Sequence, residues 1–256
     1  MSAAVRALQR WLQPLERTPL HPQWLVLHHR REIAAWVTAH ARGTLVDVGC
    51  GNGRLRRGLP ASIRYVGIDY PATMALGYAG TADILADAAS LPIATASVDV
   101  VTLLDVLEHL REPARAVGEA ARVLRTGGKC LVHVPFLYPL HDEPHDYQRW
   151  TRHGLQRLFE SGGFEVVEIC ETTHPMESAA ALLAMALASG MAGAIERRRA
   201  SVVLAPLVMA LIPLANLLGW GLARVLPASS FMPFSYRMLV ERRTSDAGRG
   251  PEPCQP

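Results

Sequence analysis

The sequence predicts an α/β protein built on a parallel, doubly wound sheet. From Gly43 onward, short β-branched runs alternate with helical stretches, a pattern that brings parallel strands together in one sheet. The first of these runs leads into a glycine-rich turn, and single aspartates follow later runs. Together these observations place a ligand crevice beyond the carboxyl ends of the strands, where open α/β sheets bind their ligands.

Composition excludes several other classes of protein. The chain has 256 residues, of which 50% are hydrophobic and 19% charged, so it is too apolar to be disordered and long enough for one large domain with an added segment. A net charge of +3 with 6% aromatic residues does not indicate a nucleic-acid partner. The four cysteines lack CxxC spacing, so they predict neither a zinc knuckle nor a disulfide framework and fit the cytoplasm.

The predicted elements follow one another in chain order. Four runs, TLVDVG, RYVGID, SVDVVTLLD and GGKCLVHVP, are predicted strands, and the helix EPARAVGEAARVLR before the last of them is expected to stop at Gly127 and Gly128. Residues 135–151, PFLYPLHDEPHDYQRWT, contain too many turn signals for regular structure, and we call them the histidine loop. A helix over 153–161, the strand FEVVEIC and a final strand SYRMLVER are predicted after it.

The glycine-rich turn GCGNG is the first sign of a cofactor site. Its residues Gly49, Gly51 and Gly53 stand where the first strand is expected to pass into a helix. Without Cβ atoms, they let a ligand lie against the backbone and the helix N-terminus. Dinucleotide-binding proteins use the spacing G-x-G-x-x-G, so the G-x-G-x-G spacing disfavours a nicotinamide-dependent oxidoreductase.

Two aspartates extend this site. Asp69 closes the second strand, where a carboxylate can accept both ribose hydroxyls of a nucleoside, and Asp87 stands where the third strand is expected to end, facing an adenine amino group. Each acid alone also fits a solvated loop or a helix cap. Their order along the chain, after a glycine-rich turn, favours a nucleoside pocket.

The ordered motifs LVDVGCGNG, YVGID, ADAASLP, SVDVVTLLDVLEHL, EPARAVGEAARVLRTGGKCLVHVP and GLQRLFESGGFEVVEI resemble those of class I S-adenosylmethionine (SAM)-dependent methyltransferases of the small-molecule, type 11 kind, over Gly43 to Ile169. The resemblance implies a Rossmann-like fold with a seven-stranded sheet, SAM as cofactor and methyl transfer as the reaction. It also implies which residues bind SAM: the turn glycines Gly49, Gly51 and Gly53 around the methionine part, Asp47 and Asp69 on the cofactor, Asp87 on the adenine and Asp105 on the methionine side.

The histidine loop holds the candidate catalytic residues, because it opens at the sheet edge where the acceptor must meet the methyl group. We predict His141 and His145 as bases, Asp146 as the group that orients one of them, and Arg149 as the partner of an anionic substrate group or of Asp146. The stretch HDEPHDYQRWT resembles a signature of family members that handle glycan- or lipid-type acceptors. Two alternatives are a purely structural loop and a metal site. We predict no metal, because no further ligand spacing accompanies these residues, and we expect His109 of LEHL to line the pocket.

A long apolar segment separates the last two predicted strands. Residues 178–195 and 201–223 contain no charged side chain, and each approaches the length of about 20 residues that spans a bilayer. In the family fold these strands are neighbours, so the segment must leave and return at one place. Three arginines, 197–199, stand between the two stretches and argue against two crossings. We therefore predict a helical hairpin inserted from the cytoplasmic side or lying in the interface; a soluble cap or a homodimer interface is the alternative.

These predictions divide the chain into an N-terminal helical lid (1–42), a SAM-binding core (43–170), an apolar insertion (171–233), a final core strand (234–243) and a disordered tail (244–256). Within the lid, apolar residues at helical spacing predict a helix from Ala4 to Leu15. The predicted function is SAM-dependent methyl transfer, at the cytoplasmic face of the membrane, to an apolar, lipid-linked or glycan/isoprenoid-type acceptor. The alternatives are a soluble acceptor such as a quinol or a sugar, a nicotinamide-dependent oxidoreductase, and a non-catalytic SAM-binding membrane protein.

Overall fold

The computed structural model describes residues 13–76 and 82–243. The N-terminal helix predicted from Ala4 lies outside these residues except for Gln13–Leu15, which form a 3₁₀ turn, and the predicted disordered tail lies wholly outside them. The described residues form two compact units. The insertion unit comprises Glu171–Ser235 and the described residues up to Ile33; the sheet unit comprises Ala34–Cys170 and the described residues from Tyr236 onward.

A seven-stranded sheet with the order β3-β2-β1-β4-β5-β7-β6 confirms the predicted fold class. The strands are β1 Thr44–Val48, β2 Arg64–Asp69, β3 Ile84–Leu85, β4 Val98–Leu104, β5 Leu124–Pro135, β6 Phe164–Glu171 and β7 Ser235–Arg242. The first five run parallel. The end of β6 lies beside the start of β7, because Thr172 N–H donates to the Ser235 carbonyl (3.1 Å). The start of β6 lies beside the end of β7, because Arg243 N–H donates to the Gly163 carbonyl (3.1 Å). These two strands are therefore antiparallel.

The strand order reverses beside β1, which places the site. Val48, the last residue of β1, pairs with Ile68 of β2 on one side and with Leu103 of β4 on the other. The three strands therefore end at nearly the same level. Gly49 and Asp105, which follow β1 and β4, emerge beside each other at the switch point, the place where open sheets of this kind bind ligands.

Three helices accompany these strands: α1 Trp24–His40, α2 Pro113–Val123 and α3 Arg152–Ser161. Both α2 and α3 confirm the sequence prediction. The predicted end of α2 at Gly127 is wrong, because the chain has already entered β5 at Leu124. Leu124 is fully buried and pairs with Val98, so its place in the core decides the boundary before the glycines are reached.

The helix predicted directly after the glycine-rich turn is also absent from this part of the described chain. A turn leads instead to a single 3₁₀ segment, Arg56–Gly58. Gly51 and Gly53 have positive φ values of 51° and 60°, and Gly53 N–H donates to the Cys50 carbonyl (2.9 Å). Left-handed residues at alternate positions do not propagate an α-helix, so the backbone here belongs to a turn.

Within the insertion unit, two long helices form the predicted hairpin. They are α4 Pro175–Glu196 and α5 Ala205–Val225, joined by the 3₁₀ segment Ala200–Leu204. The helices approach closely at Gly219, where an added Cβ would lie 2.4 Å from the Ala180 Cβ and 2.9 Å from the Met176 carbonyl oxygen. Small side chains at this contact allow the two backbones to pack against each other.

Polar contacts join the N-terminal residues of the insertion unit to this hairpin. The Asn216 side chain is fully buried and donates to the carbonyls of Pro19 (2.7 Å) and His21 (3.0 Å). His29 Nε2 lies 3.2 Å from the Glu177 carboxylate. Residues that the sequence assigned to a lid over the SAM site thus contact the insertion.

Candidate functional site

The glycine-rich turn fills the space between the ends of β2 and β4. The N–H groups of Gly49 and Cys50 both donate to the Ile68 carbonyl, at 2.8 and 3.1 Å. On the opposite side, an added Cβ at Gly49, whose φ is 76°, would lie 2.3 Å from Val106 Cγ2. Only glycine satisfies both the backbone conformation and this close contact.

Asp69 holds the backbone of this turn. It ends β2 with 8% of its surface exposed, and its carboxylate accepts hydrogen bonds from Gly51 N–H (2.7 Å), Tyr70 N–H (2.7 Å) and the Thr73 hydroxyl (2.8 Å). A carboxylate that accepts several such bonds is fixed in orientation. Asp69 therefore determines the position of Gly51 relative to the ends of the strands.

Asp47 supports the same turn from inside the sheet. It is 4% exposed, and its two carboxylate oxygens accept hydrogen bonds from the Thr102 and Tyr65 hydroxyls, both at 2.6 Å. Burial raises the pKa of Asp47, whereas these two hydrogen bonds act to lower it. The structure thus places Asp47 beneath the turn, with its oxygens directed at neighbouring strands.

The other two predicted cofactor residues are exposed at the strand ends. Asp87 follows β3, and its Oδ1 accepts a hydrogen bond from Ala89 N–H (2.8 Å). Asp105 follows β4 in a left-handed conformation with a φ of 55°, and its Oδ1 lies 2.7 Å from His133 Nδ1 of β5. Both residues follow strands whose carboxyl ends lie on the side of the sheet where the glycine-rich turn emerges.

The histidine loop is irregular, as predicted, and hydrogen bonds fix it to the segment Leu107–His109 that follows β4. Tyr147 N–H donates to the Glu108 carbonyl (2.9 Å), and the Gln148 side chain donates to the carbonyls of Leu107 (3.0 Å) and Leu110 (2.9 Å). This arrangement brings residues 33 or more positions apart in the chain into one cluster.

Asp146 and Arg149 hold the loop together internally. The Asp146 side chain is 1% exposed and accepts hydrogen bonds from Arg149 Nη2 (2.7 Å) and His141 N–H (3.0 Å). Burial acts to raise the pKa of Asp146, but the bonds from Arg149 and His141 outweigh it and lower the pKa to about 2. Arg149 also donates to the Tyr138 carbonyl (3.2 Å). The pair therefore stays ionised and braces the loop.

The two predicted bases differ in their surroundings. His145 is exposed, and its Nδ1 lies 3.2 Å from the Tyr147 hydroxyl. His141 is half-buried, with Nδ1 3.3 Å from Asp146 Oδ2 and Nε2 4.0 Å from Glu108 Oε1. The predicted orienting role of Asp146 thus has a partner in His141.

Glu108 was missed by the sequence analysis. Its side chain is fully buried between His109 and His141, and burial, with the negative charge of Asp105, raises its pKa well above the usual value for glutamate. The one available sequence signal was the acid next to histidine in LEHL, directly after a strand.

Comparison with known proteins identifies the family. A family model described as a methyltransferase domain matches residues 46–132. A probable SAM-dependent methyltransferase of Mycolicibacterium smegmatis is 36% identical over 159 residues, covering 57% of this chain and 62% of the relative. A ubiquinone biosynthesis O-methyltransferase of Burkholderia thailandensis is 30% identical over 179 residues, covering 57% of this chain and 77% of the relative. The chain belongs to the class I SAM-dependent methyltransferases.

Solved structures of this methyltransferase family share the fold. A SAM-dependent methyltransferase from Archaeoglobus fulgidus superposes with a TM-score of 0.53 at 16% identity, covering 85% of this chain and 94% of that one. One from Thermotoga maritima gives 0.52 at 16% identity, covering 93% and 96%. In sequence, the match spans less than two thirds of the mycobacterial relatives, 62% of one and 52% of another from Mycobacterium tuberculosis.

The methyltransferase family implies SAM as the cofactor, and the groups at the strand ends fit it. SAM offers donors, namely an ammonium group, ribose hydroxyls and an adenine amino group. The strand ends offer acceptors, the exposed carboxylates of Asp87 and Asp105, beside a turn in which Gly51 and Gly53 have positive φ values. The individual contacts of these residues with SAM remain predictions.

Proposed function

We propose that this methyltransferase transfers the methyl group of SAM to a lipid-linked or isoprenoid-type acceptor at the cytoplasmic face of the membrane. The glycine-rich turn held by Asp69 at the switch point supports SAM binding and is the observation that carries methyl transfer. When bound, SAM supplies an electrophilic methyl group on a positively charged sulfur. The turn glycines would lie around its methionine part, Asp69 would accept its ribose hydroxyls, Asp87 would accept its adenine amino group and Asp105 would face its methionine side.

The chain's own residues then align the acceptor and accept its proton. Since positive charge disappears at the sulfur, the reaction needs no strong acid, and alignment supplies most of the catalysis. A hydroxyl acceptor needs a base within hydrogen-bonding reach. His145 and His141 are the proposed bases, Asp146 orients His141, and Arg149 keeps Asp146 in place.

The exposed surface of the hairpin supports an acceptor that resides in the membrane. Both helical segments, Pro175–Glu196 and Ala200–Val225, are long and apolar enough to cross a bilayer, yet only 33% and 22% of their most apolar windows are buried. Val203 and Val225 are 79% and 81% exposed. Exposed apolar side chains along two helices are typical of a binding surface. The exposed arginines 197–199 beside it suit lipid phosphates.

A second candidate acceptor is a phenolic or quinol hydroxyl. The Burkholderia relatives named ubiquinone biosynthesis O-methyltransferases are matched over 77% of their length, more than the mycobacterial relatives. Their name points to oxygen as the methylated atom. A base in the histidine loop would serve this acceptor in the same way, because a ring hydroxyl also loses a proton during methylation.

The acceptor is tested with methyl-labelled SAM and the purified full-length chain, incubated separately with membrane-lipid and aqueous extracts of the source cells. We expect label in the lipid fraction, because the acceptor is proposed to be lipid-linked. Label confined to the aqueous fraction would exclude a lipid-linked acceptor and leave a soluble phenol or sugar. Absence of label from both fractions, with SAM binding shown by calorimetry, would contradict the methyltransferase activity itself.

Membrane association is tested by sedimentation with vesicles of phosphatidylglycerol and phosphatidylcholine. We expect the double variant Val203→Asp, Val225→Asp to bind at least about tenfold more weakly than the wild type, since each aspartate must stay out of the apolar phase. Val167→Asp on β6 is the matched control, because Val167 is an exposed valine (53%) outside the hairpin, and it should bind like the wild type. Vesicle binding that the double variant leaves unchanged would contradict the proposal. The proposal would also be contradicted if neither the wild type nor the double variant binds vesicles and the wild type forms a dimer that the double substitution dissociates.

A further inference from the structure

The carboxylate of Glu108 has no counter-charge at hydrogen-bonding distance. Its side chain is 0% exposed, and neither Oε1 nor Oε2 has a hydrogen-bond partner among the described residues. Arg149, a nearby cation, is engaged with Asp146 and the Tyr138 carbonyl. Burying an unpaired carboxylate is costly, so such a group either takes up a proton or pairs with a cation or a metal ion.

Two imidazole rings face this carboxylate. Nε2 of His109 lies 3.8 Å and Nε2 of His141 lies 4.0 Å from Glu108 Oε1, which is too far for hydrogen bonds. One ligand atom from each of the three residues lies within 4.8 Å of the other two. Zinc binds nitrogen and oxygen at about 2.0–2.1 Å, so its tetrahedral ligand atoms are roughly 3.4 Å apart. Side-chain movements of less than about 1 Å would close these separations around an ion.

The other nitrogen of each ring has a partner that fixes its tautomer. His109 Nδ1 lies 3.0 Å from the His145 carbonyl oxygen, which can only accept, so Nδ1 must carry the hydrogen. His141 Nδ1 lies 3.3 Å from the Pro139 carbonyl oxygen, which imposes the same tautomer on a neutral ring, and 3.3 Å from Asp146 Oδ2. Both Nε2 atoms then present lone pairs toward Glu108. Metal-binding histidines in proteins are held in this way by carbonyl or carboxylate groups.

The backbone that carries the three side chains is already fixed. Glu108 accepts a hydrogen bond from Tyr147 N–H through its carbonyl, and His141 N–H donates to Asp146. The His109 and His141 side chains are 23% and 26% exposed, so an ion can reach them from solvent. The three ligands thus lie on two braced segments, and the two histidines among them are partly exposed.

We propose that Glu108, His109 and His141 bind one divalent transition-metal ion of the zinc type. Two imidazoles and one carboxylate suit zinc, cobalt or iron(II), whereas calcium and magnesium prefer an all-oxygen set. Three protein ligands leave a fourth position for water or an acceptor oxygen. When the ion is bound, His141 is one of its ligands, so of the two proposed bases only His145 then serves as the base.

The test measures binding of zinc chloride to the chelator-treated full-length chain by calorimetry, and binding of cobalt chloride by its visible absorption. We expect one equivalent per chain, with affinity at least about 100-fold weaker in Glu108→Gln and His141→Ala. His153→Ala is the matched control, since His153 is an exposed histidine on α3, and it should bind zinc like the wild type.

Two results would overturn the proposal: failure of the wild type to bind zinc or cobalt, and equal affinity in His141→Ala and His153→Ala. If Glu108→Gln does not fold, His141→Ala decides the matter, because His141 lies in a partly exposed loop and its loss removes no buried charge. Binding is measured without SAM or acceptor. A negative result therefore leaves the methyltransferase proposal standing, and a failed methylation assay leaves the metal site standing.

Discussion

Replacing Gly49 with alanine is expected to destabilise the chain by about 2–4 kcal/mol, which combines the cost of a left-handed alanine with that of overpacking. The reason is that Gly49 has a φ of 76° and that a Cβ there would lie 2.3 Å from Val106 Cγ2. Thermal unfolding followed by circular dichroism should show a midpoint lower by about 10 °C. Calorimetry should show weaker SAM binding as well, because the turn must shift to accommodate the methyl group.

Gly118→Ala is the matched control for this substitution. A Cβ at Gly118 of α2 would meet no described atom within 4 Å, and alanine is favoured over glycine in a helix by about 1 kcal/mol. We therefore expect Gly118→Ala to raise the midpoint slightly and to bind SAM like the wild type. A Gly49→Ala protein that melts within about 2 °C of the wild type would contradict the close packing of the turn.

Asp69→Asn is expected to weaken SAM binding by about 100-fold, with a smaller effect on stability. The change keeps the shape of the side chain but removes the charge and one acceptor, so Gly51 N–H, Tyr70 N–H and the Thr73 hydroxyl can no longer all be satisfied. The dissociation constant is measured by calorimetry, and folding is checked by the unfolding midpoint.

Asp99→Asn is the control because it makes the same chemical change near the amino ends of the strands, at the opposite end of the sheet from Asp69. The Asp99 carboxylate also accepts a backbone hydrogen bond, from Thr44 N–H (2.8 Å) at the start of β1, and it pairs with Arg125. We expect this variant to lose stability and keep its affinity for SAM. Equal loss of affinity in the two variants would show that Asp69 acts through general stability and not at the cofactor site.

The sequence was sufficient to predict the core elements because each has a strong local signal. Strands β1 and β4 are rich in β-branched residues and mostly buried, and the last three residues of β2 are buried as well. Helix α2 buries its apolar face at helical spacing, with Ala116, Val117, Ala120 and Val123 in the core. The long uncharged stretches 178–195 and 201–223 predicted the helices α4 and α5 in the same way. These patterns need no information from distant parts of the chain.

The wrong predictions concern features that distant contacts decide. The helix expected after the glycine-rich turn is replaced by a turn whose N–H groups bond to Ile68 of the neighbouring strand. The end of α2 is set by pairing of Leu124 with Val98. Neither partner is visible in a local pattern, so propensity and glycine positions pointed to the wrong boundaries.

The candidate site shows the same limit. Asp146 with Arg149 was found because the two are three residues apart, within a single stretch of charged side chains. The contact of Glu108 with His141 joins segments 33 residues apart, and only the folded loop brings them together. Burial of Glu108 is likewise a property of the packed cluster and has no counterpart in the motif LEHL.

The two ends of the insertion meet in a hydrogen bond, from Thr172 N–H to the Ser235 carbonyl (3.1 Å), and β6 and β7 stay paired beyond that point. Everything between these residues can therefore change in length or sequence without disturbing the strand register. Such a closed junction makes the hairpin a self-contained insertion between two paired strands. It also offers a site for chimaeras, in which a different hairpin is grafted between residues 172 and 235.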